Sequence, residues 1–254
     1  MSFFSFSTKS HAQPARVRRP AASVSPPSQR ALLTQARLLK AVNVISQQAP
    51  GAHPMALENG LVVARFFKYR LSSRFVLLRD QHGRAAGWYA HTAAVAPDGI
   101  ELPMRRLYRL AEHYGTVAKL DQLCQTLHAL NYFVAHASTA ERRLYLSVHP
   151  YSTTEQAAFS RHAFLSVLTA LDITPASLSL ILPAEHLAGA AAGVVAGYRA
   201  HGFRIGYAMT ATTAVEYVSR LPRADYWFVD EEDAAGATGL AGAASARGIA
   251  LLAR

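Results

Sequence analysis

The chain of 254 residues has one cysteine, Cys124, which excludes an intramolecular disulfide and a cysteine-built metal centre. Cys124 sits among Leu120, Leu123, Leu127 and Leu130 at helical spacing, the setting of an inert core thiol in a reducing compartment. No apolar run approaches the roughly 20 residues of a membrane-spanning helix. The start, MSFFSFSTKSHAQPARVRRP, lacks the apolar stretch of a signal peptide. These absences point to the cytoplasm. Carboxylates are missing from the whole N-terminal region, the first being Glu58. Ahead of it stand Lys9, Arg16, Arg18, Arg19, Arg30, Arg37 and Lys40, seven of the net +10, so only +3 remains for the rest. Also missing is a glycine-rich phosphate loop after an early strand, which argues against a dinucleotide-binding sheet.

What is present is patterned for a packed body, 51% apolar and only 17% charged. Met1 to about Pro27 is rich in Ser, Pro, Ala and Arg, and is expected to be a disordered basic leader. Leu32, Leu33, Ala36, Leu39 and Val42 then mark one face of an amphipathic helix over about 28–48, with Arg30, Arg37 and Lys40 opposite and Pro50-Gly51 as its breaker. Residues 1–55 thus form a leader with a helix, and 56–254 a folded domain. Leu61 to Tyr69 is β-prone. Phe75 to Leu78 and Ala85 to Tyr89 flank Gln81-His82-Gly83-Arg84 as a hairpin. Two helices follow, on either side of Gly115.

From Leu144 the alternation is regular. Strands are predicted at Leu144–Val148, Leu178–Leu182, Phe203–Tyr207, Tyr226–Val229 and Ile249–Leu252, separated by four helices. The central unit, GFRIGYAMTATTAVEYVSRLPRADYWFVD from Gly202 to Asp230, is a strand, a helix stopped by Pro222, and a strand. Such a series makes a parallel sheet covered by helices, either open and doubly wound or closed as a barrel. Without the glycine fingerprint, the barrel is favoured.

The order of segments from Arg74 to Arg254 resembles the EAL family, the barrel phosphodiesterases of bacterial cyclic di-GMP signalling. FVLLRDQHGRAAGWYAH (Phe75 to His91) aligns without gaps to the family's YQPI-to-EAL stretch. Leu110-Ala111-Glu112 with Gly115 and Leu120-Asp121 follows as in the family. LYLSVHP (Leu144 to Pro150) resembles the "NVSP" strand, Pro175 to Ala184 the "ELTE" strand, Gly202 to Ala211 "GVRIALDDFG", and Leu221 to Asp230 "LPXDYIKID". The resemblance implies an α/β, TIM-barrel-like (β/α) EAL fold. The family continues past this point with another strand and helix, so the barrel is expected to be incomplete at its C-terminal end, with an exposed sheet edge. Leu61–Tyr69, the Leu32–Gln48 helix or a second protein are the candidates to cover that edge.

By the same resemblance, family members hold two divalent cations at the barrel mouth with carboxylates and an asparagine at strand ends, and the metals activate a water. Here Tyr89 stands at the motif glutamate, His91 at its leucine, Ser147 at the ligand asparagine, Ile181 and Ala184 at the two glutamates of "ELTE", Ala208 and Met209 at the paired aspartates, and Phe228 at the lysine. Hard cations need oxygen ligands that Ile, Ala, Met and Phe do not offer. The resemblance therefore implies a chain with no metal or other cofactor that is not an enzyme, and that acts in bacterial motility, biofilm or exopolysaccharide control through an unidentified protein partner. A second expectation is a non-hydrolysing cyclic di-GMP receptor. The family's phosphate-holding arginine falls on Ala93, which leaves Arg74 or Arg79 for phosphate, Trp88 or Phe228 for base stacking, and His149 among the surviving polar groups. A third is nucleic-acid or anionic-surface binding through the leader. A fourth, an acid–base site assembled from His128, His136, His149, His162 and Glu185, has no spacing behind it.

Overall fold

The computed structural model describes residues 36, 38–40, 42–43, 55–134, 143–153, 158–187, 191–210, 213, 217, 220–230 and 238–253. The expected leader therefore lies outside the described residues, as do Pro50-Gly51, His136 and most of the helix expected between Gly202 and Pro222.

The strands are β1 (Met55–Glu58), β2 (Leu61–Phe66), β3 (Tyr69–Asp80), β4 (Ala85–Val95), β5 (Glu101–Leu102), β6 (Arg143–Ser147), β7 (Leu178–Pro183), β8 (Arg204–Met209), β9 (Tyr226–Val229) and β10 (Ala250–Ala253). The helices are α1 (Met104–His113), α2 (Val117–Ala129), α3 (Ala158–Ala170), α4 (Ala191–Ala200) and α5 (Thr238–Ala246). Strands β4, β6, β7, β8, β9 and β10 pair in that order, all parallel. β3 runs antiparallel to both ends of the series, with Leu78 opposite Gly87 on one side and Asp80 opposite Leu252 on the other. The result is a closed mixed barrel of seven strands. This corrects the expectation of an exposed edge: β3 closes the barrel, and β2, the candidate from Leu61, sits outside it on the far part of β3.

Side-chain alternation divides the interior into three cores. Along each parallel strand one set of residues faces the helices and the next faces the axis. Leu144, Leu146, Leu180, Leu182, Ile205, Tyr207, Trp227 and Val229 pack under the helices. Leu78, Tyr145, Ile181, Tyr226, Phe228 and Leu252 fill the barrel itself. A third cluster lies under the β1–β2 extension, where Val62, Ala64 and Phe66 meet Leu107, Leu120 and Leu127 of α1 and α2. The N-terminal helix docks here through Leu38 and Val42. Its buried stripe matches the predicted one at Val42 but not at Ala36 and Leu39, which are exposed, while Leu38, one residue before Leu39, is buried.

Two glycines make room inside the barrel. A Cβ on Gly206 would collide with the Tyr226 ring, and one on Gly87 would lie 2.7 Å from Cε2 of Tyr145. The two tyrosine rings then meet edge to face at 5.1 Å. At the end where helices return to strands, α4 and α5 close on Gly202 and Gly248, and α3 closes on Asp172 in the same left-handed conformation. The next N–H in each case reaches back to a carbonyl five residues earlier.

Candidate functional site

The carboxyl ends of the parallel strands form the barrel mouth. Tyr89, Ile181, Ala208 and Phe228 all face the axis and belong to one cluster of packed side chains. Ser147 joins them through its hydroxyl, 2.9 Å from the Tyr89 hydroxyl. The Tyr89 ring stacks on Phe228 at 5.3 Å and on His91 at 6.4 Å, so a ladder of three rings runs from β9 to β4. Arg74 lies opposite His91 on β3, and Glu101 holds its guanidinium by two bonds of 2.9 and 2.8 Å.

The other residues singled out from the sequence lie elsewhere. Met209 is one step along β8 from Ala208, so it points out under the helices, and Ala184 is buried in the same outer core. Trp88 also packs against that outer core, away from the axis, because it alternates with Tyr89. Arg79 is at the opposite end of the barrel, bonded to the Gly83 carbonyl in the β3–β4 turn. Trp88 and Arg79 are therefore set aside as mouth contacts. His149 stacks on Tyr108 at 4.1 Å, and burial pushes its pKa down. His128 and Glu185 have separate partners, so they do not form one acid–base site; the side chain of His162 lies outside the described residues.

Beside the mouth, between β4 and the α1–α2 pair, is a cavity of about 390 Å³. Its wall carries Asp121, Gln125 and His128, polar residues on one face of α2. Asp121 is 3% exposed. It accepts bonds from the Tyr108 hydroxyl (3.2 Å), the Gln125 amide (3.1 Å) and the His149 backbone N–H (3.3 Å). Burial and the Asp121 carboxylate together raise the Tyr108 pKa well above its ordinary value. His128 bonds Thr92 and Ser73, and burial pushes its pKa down to about 3, so the ring is neutral. Asp121 and Gln125 escaped the site assignments made from sequence, and His128 entered them only within the acid–base set that the structure does not assemble. The signal was there, since 121, 125 and 128 recur at spacings of four and three inside an apolar helix.

On the β7–β8 side, Glu185 accepts from the hydroxyls of Thr210 (2.7 Å) and Thr213 (3.1 Å). Those two bonds hold its pKa below the ordinary carboxylate value. The mouth thus carries oxygen and ring groups. Among the described residues no three His, Cys, Asp or Glu side chains converge as a metal site. Ile181, Ala208 and Phe228 offer no side-chain oxygen at the mouth and Met209 points away from it, so these residues do not fit the two divalent cations that the resemblance implies.

The barrel, its antiparallel closing strand and its covering helices make this an EAL-like fold of the TIM-barrel type. Solved structures agree. A PaMucR phosphodiesterase in complex with c-di-GMP matches at a TM-score of 0.56 and 16% identity, over 71% of this chain and 79% of that one. The FimX EAL domain from Pseudomonas aeruginosa bound to c-di-GMP matches at 0.55 and 13%, over 70% and 77%. The EAL enzyme Bd1971 in its cGMP-bound form matches at 0.55 and 12%, over 71% of this chain and 54% of that one. No family model and no curated protein matches. At these identities the likeness establishes the fold. It also overturns one expectation: structures of enzymes, a phosphodiesterase among them, stand among the likenesses, so replaced ligand positions do not make this chain a non-enzyme. No helix among the described residues is long and apolar enough to cross a membrane.

Proposed function

We propose that the chain is a cyclic di-GMP signalling protein whose barrel mouth is its working end. It passes its signal on by contact with a protein partner, in bacterial control of motility, biofilm or exopolysaccharide. The observation that carries this reading is the gathering of Tyr89, Ser147, Ile181, Ala208 and Phe228 at one end of a barrel whose solved likenesses include c-di-GMP complexes. The ring ladder of Phe228, Tyr89 and His91 offers faces on which a guanine stacks. Arg74, fixed by Glu101, offers a guanidinium to phosphate at the rim.

The test is titration calorimetry of the full chain with cyclic di-GMP. Saturable heat is expected, weakened by about tenfold or more (~1.4 kcal/mol) in Tyr89→Ala and in Phe228→Ala. Chromatography of the same mixtures with manganese added reads whether the phosphodiester is cleaved. No heat at millimolar ligand, or equal affinity in both variants, ends the ligand half of the proposal. The partner half is tested by capture from the source cells with and without residues 1–29; recovery of no protein by either form ends it.

A further inference from the structure

The opposite end of the barrel carries a different surface. Arg143 and Arg204 begin β6 and β8, Arg199 ends α4, Arg223 precedes β9, and Arg247 follows α5. All five are therefore at the end where helices hand over to strands. Their neighbourhood is continuous. Arg143 and Arg204 both act on the Tyr145 hydroxyl, their charges favouring its ionised form against burial. Asp225 accepts the backbone N–H of Ile205, next to Arg204, and pairs with Arg199 at 3.5 Å. Arg199 also donates to the Arg223 carbonyl. Arg223 and Arg247 flank a cavity of about 250 Å³ floored by Tyr207 and Trp227, and Arg247 lies 5.8 Å over the Trp227 ring.

Against these five guanidinium groups, the described carboxylates of this end are Asp80, Asp172 and Asp225, and Asp80 is paired with Arg84 of its own turn at 2.8 Å. Arg199 takes Asp225, and Arg143, Arg204, Arg223 and Arg247 have no carboxylate within ion-pairing distance among the described residues. Four of the five arginines are exposed, and Arg143 is half-buried with its Nε enclosed and without a hydrogen-bond partner. Arginines in an arc without carboxylate partners are suited to a row of phosphates, to which a guanidinium can give paired N–H donors.

We infer that this arginine-lined end of the barrel binds the phosphodiester backbone of a double-stranded nucleic acid. Two further observations select that partner. Among the described residues the large apolar side chains with high exposure are Leu39, Leu61, Phe67, Ile100, Tyr114 and Tyr151, and none of these is at this end. A single strand needs exposed aromatic faces on which to stack its bases, and a membrane surface is held best when apolar side chains enter it beside the charges. A surface with exposed guanidinium groups alone matches a duplex read through its phosphates, without sequence preference.

The experiment is fluorescence anisotropy of the full chain with a labelled random-sequence duplex of about 30 base pairs, in salt from about 50 to 200 mM. The affinity is expected to fall steeply with salt. The triple variant Arg204→Gln, Arg223→Gln, Arg247→Gln is expected to bind more weakly, with the slope of log K against log salt shallower by about 2.7, three phosphate contacts' worth. The matching Arg→Lys triple is expected to keep most of the slope, because the charges remain. Thermal midpoints near that of the parent show that both variants are folded. Three results overturn the inference. One is an unchanged slope in the Gln variant, which assigns all binding to the basic leader. Another is equal loss in the Lys and Gln variants. The third is binding to phosphatidylglycerol vesicles with none to the duplex.

Discussion

Substituting Gly206 by alanine tests the packing on which the mouth is built. Gly206 faces the barrel axis two residues before Ala208, in register with Tyr226 on the next strand. The Tyr226 ring lies where a Cβ on residue 206 would stand. The ring has little room to retreat, being 4% exposed and anchored by its hydroxyl to the Leu180 carbonyl at 2.9 Å. Adding a methyl group to a filled core costs about 1–3 kcal/mol. Pulling the hydroxyl off Leu180 leaves buried groups unpaired for about 1–3 kcal/mol more. The sum is about 2–6 kcal/mol, and at about 2–4 °C per kcal/mol for a domain of this size the thermal midpoint drops by about 4–24 °C. Far-ultraviolet circular dichroism during heating measures it. A cycle with Tyr226→Ala isolates the cause. That single change costs about 3–5 kcal/mol by emptying the core, but Gly206→Ala added to it is expected to cost almost nothing, giving a coupling of about 2 kcal/mol or more. Equal cost of Gly206→Ala in both backgrounds refutes the packing argument.

Three further outcomes are expected. Asn131→Leu removes a carboxamide that accepts from the Val62 N–H at 2.7 Å and donates to its carbonyl at 2.8 Å, and so acts as a pairing strand for β2. Leaving both groups buried and unpaired costs about 2–5 kcal/mol by denaturant titration, and an isosteric-like loss below 1 kcal/mol would show that water replaces the amide. His128 is held neutral, its pKa pushed by burial to about 3, below the ordinary histidine value. The unfolded chain takes a proton there that the native state refuses. Stability is therefore complete above about pH 6.5 and falls as pH drops toward 3, by on the order of 1.4 kcal/mol per unit; His128→Gln should flatten this share of the pH profile. Burial pushes the Cys124 thiol up to about 12, so iodoacetamide at pH 8 should label it only as fast as the chain unfolds, and labelling within minutes in native buffer contradicts the buried assignment.

The strands and helices after Leu144 were legible because each carries its own period, and parallel strands covered by helices read as short apolar runs. β1 and β5 were not foreseen, being four and two residues long, with partners supplied only by the neighbouring strand. Closure was misjudged for a related reason. The pairing of Asp80 with Leu252 joins residues far apart in sequence, and periodicity carries no information about which strand meets which. The site followed the same division. Alternation along a strand places Tyr89 and Phe228 toward the axis and Trp88 and Met209 toward the helices, but the phase is fixed only once the neighbours are known. Arg79 shows the limit of segment matching. It sits near the mouth residues in sequence, yet β3 runs antiparallel, so moving toward its carboxyl end moves away from the mouth.

That reversal also explains how the two ends of the barrel came to differ in chemistry. Every parallel strand delivers its last residues to the mouth and its first residues to the far end, so a single substitution alters only one of the two surfaces. At the mouth, apolar and ring side chains such as Ile181 and Phe228 line the axis, and two charged groups there are engaged: Arg74 by Glu101 and Glu185 by two threonines. At the far end the arginines of the helix-to-strand turns outnumber the described carboxylates, and among the described residues only Arg199 of the five has a carboxylate partner, Asp225. The scaffold is indifferent to this exchange, because Leu144, Leu180, Ile205 and Trp227 hold the barrel to its helices from the other face of the same strands. Ligand binding at the mouth and polyanion binding at the far end are therefore separable by mutation, and the Arg204, Arg223, Arg247 variant should leave cyclic di-GMP heats untouched while it weakens duplex binding.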